Sequence, residues 1–236
     1  MNLNTIMEII NNIYAQYEDP DSQKINDICK SLIGAKININ YTISINNSNT
    51  MTGMINNCNI TGDCLENIIY PYIKNYINGF EEGPKQSSPD YWNNNRQYEW
   101  ELKTFMNSPC FDVSNFISYI NQLVEPDGIK RKLFKTKYLI FKYYIENNTI
   151  IINDFIMCNV WDLINYNGKY PISLQNKKGT WYNIRPSSFN EIKNLNKNPE
   201  IFINKICEAI RICPNQIINR DEIIQNIIQE YNKLFF

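Results

Sequence analysis

The segment Pro89-Asp90-Tyr91-Trp92-Asn93-Asn94-Asn95-Arg96-Gln97-Tyr98-Glu99-Trp100-Glu101-Leu102-Lys103 reads as two extended pieces around an asparagine-rich turn. Successive side chains of a strand point to opposite faces. A strand over Tyr98 to Thr104 therefore sends Tyr98, Trp100 and Leu102 one way, and Glu99, Glu101 and Lys103 the other. The turn brings Asp90 alongside, so that Asp90 and Glu101 can share a divalent ion while the Lys103 ammonium reaches a neighbouring water. Mg²⁺ suits such a site, since it takes one or two carboxylates and completes its shell with waters and substrate phosphate oxygens.

Outward from this segment the periodicities define the rest of the chain. Upstream, Leu65, Ile68, Ile69, Tyr72, Ile73, Tyr76 and Ile77 form the apolar stripe of a helix that carries Glu66, with Thr61 as its expected N-cap. Residues 79–88 read as a loop. An earlier helix is expected over Ile6 to Tyr17 and another around Ile25 to Ile33, followed by an alternating strand from Lys36 to Ile45. Downstream come a helix near Val113 to Val124 and a hairpin of Tyr138–Ile145 and Thr149–Met157. An extended piece after Lys177-Lys178-Gly179 follows, and then amphipathic helices over Glu200–Ile212 and Asp221–Phe236. This order predicts an α/β (α+β) fold with one central mixed sheet flanked by helices. Three regions are expected: an N-terminal segment over 1–60, a core over 61–190, and C-terminal helices over 191–236 that pack on the core or form a dimer interface.

Composition limits the chemistry. The 236 residues contain no histidine, which removes imidazole bases, nucleophiles and metal ligands, and leaves carboxylates, lysines, tyrosines and thiols. The seven cysteines are odd in number and form no CxxC pair, so neither a complete disulfide framework nor a structural zinc site is indicated. A reducing cytoplasm is the expected setting, with no signal peptide and no membrane span.

The formal net charge of −1 hides a segregation. Gly128 to Asn190 holds ten basic residues against three acids, leaving thirteen basic and twenty-one acidic residues for the remainder. Interleaved aromatics make this stretch a candidate surface for a phosphate backbone. Lys130, Arg131, Lys132 and Lys135 are the expected backbone contacts, and Gln175, Asn176, Lys177, Lys178, Asn183 and Arg185 the expected readers of base edges.

Pro89-Asp90 and Glu101-Leu102-Lys103, preceded by Gly62-Asp63-Cys64-Leu65-Glu66, resemble the PD-(D/E)XK nuclease superfamily, and within it the type II restriction endonucleases. The resemblance implies a restriction-endonuclease-like fold and Mg²⁺-dependent cleavage of double-stranded DNA. Asp90 and Glu101 would be metal ligands, Lys103 would orient or activate the attacking water, and Glu66 would assist. A wider likeness runs from Thr61 to Pro214 through Ser108-Pro109-Cys110-Phe111-Asp112, Lys132 to Tyr138, and Gly179 to Pro186. That stretch is similar to the NgoBV/NlaIV-type enzymes, which implies a GGNNCC target, a homodimer and a companion DNA methyltransferase. Ile184-Arg185-Pro186 is also similar to the mismatch-repair nicking endonuclease, a monomer. A non-enzymatic DNA-binding module is the remaining alternative.

Overall fold

A computed structural model describes residue 12 and residues 15–38, 41–45, 49–53, 58–84, 88–194 and 198–235. Its centre is a six-stranded mixed sheet in the order β1-β9-β8-β6-β5-β4. The strands are β1 (Lys36–Asn38), β4 (Glu81–Glu82), β5 (Tyr91–Asn93), β6 (Tyr98–Phe105), β8 (Thr136–Glu146) and β9 (Thr149–Cys158). β6 and β8 run parallel, and every other neighbouring pair is antiparallel. β7 (Ser114–Asn115), β10 (Leu174–Lys177) and β11 (Thr180–Ile184) form a small second sheet, and β2 (Tyr41–Ile45) pairs with β3 (Asn49–Gly53).

Strand alternation divides the core into two layers. Trp100 and Leu102 of β6, with Leu139, Phe141 and Tyr143 of β8, pack toward α1 (Ser22–Ser31) and α2 (Cys58–Lys74), where Ile25, Leu65, Ile69 and Ile73 are fully buried. Phe105, Tyr138 and Ile140 face the other layer, made with α3 (Phe116–Val124), α7 (Pro199–Ile212) and α8 (Arg220–Lys233). Short helices α4 (Gly128–Lys130), α5 (Val160–Leu163) and α6 (Phe189–Lys193) complete the set, with a π-helical turn over Arg131–Lys135 between α4 and β8. The mixed sheet flanked by helices is the fold class the alternating and 3.6-residue patterns predict. The β8–β9 hairpin turns at Asn147 and Asn148, both at positive φ, a conformation asparagine tolerates better than most side chains.

Several expected boundaries move. α2 begins at Cys58, so Thr61 lies inside the helix rather than capping it. Thr61 tolerates a helix interior, and the capping signal there did not set the start. Residues 79–88 are not all loop, because Glu81 and Glu82 pair with β5 as an edge strand. The strand expected over Lys36 to Ile45 is two: β1 joins β9, whereas β2 turns back on β3. The helix expected over Ile6 to Tyr17 lies largely outside the described residues. Among the described residues no helix is long and apolar enough to cross a membrane, and the six described cysteines are free.

Candidate active site

The β5–β6 hairpin is built to hold its two strands in one register. Tyr91 lies opposite Trp100 and Asn93 opposite Tyr98, while Asn94, Asn95 and Arg96 make the turn at positive φ. The hairpin is anchored from outside by Asp19, which is 3% exposed. Its carboxylate accepts hydrogen bonds from Asn93 Nδ2 (2.7 Å), Asn94 Nδ2 (2.8 Å), Trp100 Nε1 (3.2 Å) and the Asp21 backbone N–H (2.9 Å). Burial pushes the Asp19 carboxyl above its usual range, and those donors oppose the shift. On the opposite flank the Gly83 N–H donates to the Asp90 carbonyl at 2.7 Å. A Cβ at position 83 would sit 1.9 Å from the Pro89 carbonyl oxygen, so only glycine permits this approach.

Extending the hairpin register by one pair sets Asp90 opposite Glu101. Asp90 Oδ2 accepts from the Leu102 N–H at 2.7 Å, which fixes the carboxylate against β6. Lys103 Nζ lies 3.2 Å from Glu101 Oε2 and 3.7 Å from Asp90 Oδ2. The Ser88 hydroxyl donates to Glu101 Oε1, a contact the sequence pattern did not signal. Asp90, Glu101 and Lys103 thus meet within one hydrogen-bonded cluster. Lys103 and Glu66 line a cleft of about 590 Å³, whose opposite wall is the loop over 106–112.

Electrostatics fit this donor set to a cation. Burial pushes the Asp90 carboxyl up to about 7, aided by the charges of Glu101 and Glu66 and opposed by Lys103 and the Leu102 N–H. Burial alone would lower the Lys103 ammonium, but Glu101, Asp90 and Glu66 outweigh it, so the group stays charged at neutral pH. Asp90, Glu101 and Glu66 all act on one ammonium, and a divalent ion bound there would favour the charged form of Asp90. The donors are hard oxygens, which suit Mg²⁺. Glu66 is exposed on α2, and its charge acts on both Asp90 and Lys103. Among the described residues, no three acidic or thiol groups draw together as a ready-made metal cage.

Glu99 lies on the same face of β6 but serves the interior. At 3% exposed, it accepts from Lys132 Nζ (2.7 Å) and Thr136 Oγ1 (2.9 Å), with Arg131 Nε at 3.6 Å. This corrects the expectation for Lys132, which is buried and held by Glu99 instead of facing solvent. The cause is the parallel pairing of β6 and β8, which brings the end of the π-helical turn over Glu99. Arg131 is engaged by Glu125 at 2.6 Å, Lys130 lies over the Tyr17 ring and Lys135 over the Tyr98 ring.

The other candidates sit on or directly after the β10–β11 ribbon, in the C-terminal part of the same basic stretch. Asn176 Oδ1 accepts from the Gly179 N–H and its Nδ2 donates to the Tyr170 hydroxyl, so Asn176 shapes the turn. Asn183 Nδ2 donates to Gln175 Oε1 at 3.4 Å across the strands. Lys177 and Lys178 are exposed at the tip. Arg185 pairs with Asp112 at 3.0 Å and donates to the Cys110 carbonyl, tying the ribbon's root to the cleft wall.

Comparison with known proteins places the chain in a family. The NgoBV restriction endonuclease family model matches residues 23–235. The type II restriction enzyme NlaIV of Neisseria lactamica is 31% identical over 117 residues, which cover 47% of this chain. The aligned stretch spans 46% of that relative, about half its length. A solved structure of the NlaIV restriction endonuclease shares the fold, with a TM-score of 0.72 and 21% identity over 89% of this chain and 88% of that one. With a family match over almost the whole length, the chain belongs to the NgoBV restriction endonuclease family.

Proposed function

We propose that the chain acts as a type II restriction endonuclease, hydrolysing phosphodiester bonds of double-stranded DNA at a specific sequence with Mg²⁺ as cofactor. The observation that carries this reading is that Lys103 Nζ lies within 3.7 Å of both Asp90 and Glu101 while Lys103 itself lines an open cleft. Asp90 and Glu101 would hold the ion, which when bound offsets negative charge on the scissile phosphate and the attacking oxygen. An ammonium cannot accept the proton of the attacking water, so Lys103 works as a donor. It orients the water and steadies the charge that develops as the bond to phosphorus forms. Glu101 keeps Lys103 in place, and the Leu102 N–H and Ser88 hydroxyl keep the two carboxylates in place, so little reorganisation is left for the reaction itself. In-line attack by water forms a new P–O bond as the bond to the 3′ oxygen breaks; the proton lost by the attacking water passes to bulk water, the 3′ oxygen takes one from solvent to leave as a hydroxyl, and a 5′ phosphate remains.

A palindromic target of the GGNNCC type would be met by a homodimer with matching two-fold symmetry. The setting would be the cytoplasm, where a companion methyltransferase would protect the same sequence. The core over 61–190 would supply catalysis and recognition, with the C-terminal helices supporting it or the dimer.

Digestion of plasmid DNA tests the reading. Discrete fragments with ligatable 5′-phosphate ends are expected in Mg²⁺ and none in EDTA. A smear, nicked circles alone, or intact plasmid would contradict it, the last two outcomes pointing to a nicking enzyme and to a binding module respectively.

A further inference from the structure

The basic residues of this chain are unequally available. Arg131 and Lys132 are engaged by Glu125 and Glu99, and Lys130 and Lys135 lie over tyrosine rings. The ribbon of β10 and β11 differs in exposure: Lys177 and Lys178 are exposed, whereas Lys130, Arg131 and Lys135 are half-buried and Lys132 is buried. Neither Lys177 nor Lys178 has a carboxylate within 4 Å among the described residues. Lys177 Nζ stands 5.6 Å over the ring of Tyr182, which is itself 42% exposed.

The ribbon is held at its root, where Asn183 and Ile184 pair with β7, and again close to its tip, at Trp181. Trp181 is buried edge-on to Phe116 and Tyr170, and Asn215 clamps its backbone from both sides, accepting from the N–H at 2.8 Å and donating to the carbonyl at 2.7 Å. The tip turns through Lys178 and Gly179, both at positive φ, with Asn176 Oδ1 capping the Gly179 N–H. With Trp181 buried, it is the exposed face carrying Lys177 and Tyr182, together with the turn, that the ribbon presents to solvent. The Arg185 contacts join that root to the wall of the cleft that holds Lys103.

We propose that the β10–β11 ribbon enters a groove of duplex DNA and that Lys177 and Tyr182 determine which sequence is cut. This rests on the nuclease reading above and adds the element that recognises the target. A two-stranded ribbon fits the major groove, which is about 12 Å wide, and lysine donates to guanine O6 and N7 there. The uncompensated tip charge complements the duplex, and the Tyr182 ring holds the Lys177 stem so that less freedom is lost on binding. The anchored root keeps the spacing between groove and scissile phosphate constant.

Lys177→Ala and Tyr182→Ala in the full-length protein test the assignment. Both side chains face solvent, so the variants are expected to melt like wild type. Binding by fluorescence anisotropy, in Ca²⁺ to suppress turnover, compares a duplex carrying the mapped cleavage site with one altered by a single base pair. Each variant is expected to lose at least tenfold of the wild-type preference. Unchanged preference in both would overturn the proposal, as would equal weakening on both duplexes, which marks a phosphate contact without sequence content. Failure of wild type to cleave plasmid rejects the nuclease reading. Unchanged discrimination in variants of an active enzyme rejects the ribbon alone.

Discussion

Lys103→Ala and Asp90→Asn each lower the single-turnover rate of DNA cleavage by about three orders of magnitude, with duplex affinity kept within about threefold. The size follows from what is removed. A preorganised donor or general acid–base group aimed at developing charge contributes roughly 10²–10⁴ in rate. Lys103 is such a donor, held by Glu101 at 3.2 Å and 3.7 Å from Asp90. Asp90→Asn keeps an oxygen for the Leu102 N–H but removes the charge that would hold the cation. Neither change touches the ribbon, so binding persists. Glu66→Gln, at an exposed position whose charge acts on Asp90 and Lys103, is expected to cost at most about tenfold. Rapid-quench kinetics beside a binding measurement separates rate from affinity, and loss of binding in step with rate would contradict the assignment.

The second large effect is on stability. Asp90 sits near 3.8 in an unfolded chain but is pushed up to about 7 in the fold. Between these values the native state holds a proton that the unfolded state has lost, so metal-free wild type loses stability as pH rises through this window. Below about pH 4 both states are protonated and the penalty vanishes. Above about pH 7 it is complete, and a shift of that size corresponds to at most ~4 kcal/mol. Asp90→Asn escapes the penalty. In EDTA it is therefore expected to match wild type near pH 4 and to exceed it progressively up to pH 8 in urea denaturation. Lys103, raised, keeps its charge across the window and adds no slope there. A wild type that gained stability relative to the variant as pH rose would show that Asp90 is not held in a charge-deficient site.

Much of this architecture is legible in local pattern because β6 and β8 are long and alternate cleanly. Trp100 and Leu102 go to one layer and Glu99, Glu101 and Lys103 to the other, as period two requires. The pairing of Asp90 with Glu101 followed from the asparagine turn. Long-range partners were not legible. Asp19 lies more than seventy residues from the side chains it holds in β5 and β6, and no local spacing marks it. The short strands β4 and β7 are only two residues each and exist through their neighbours. The run over 130–137 looked like one solvated surface, yet Glu99 draws Lys132 inward because its own burial demands a cation. Gly83 reads as a loop residue, and only the packed backbone of Pro89 gives it a reason.

The central claim is that Asp90 and Glu101 together bind the divalent ion of a phosphodiesterase centre. Anomalous scattering from Mn²⁺ in crystals of the protein with target duplex tests it most directly. The expected result is a manganese peak at coordination distance from both carboxylates, with the Lys103 ammonium alongside. A peak on other residues of an active complex, with Asp90 and Glu101 both uncoordinated, would contradict it.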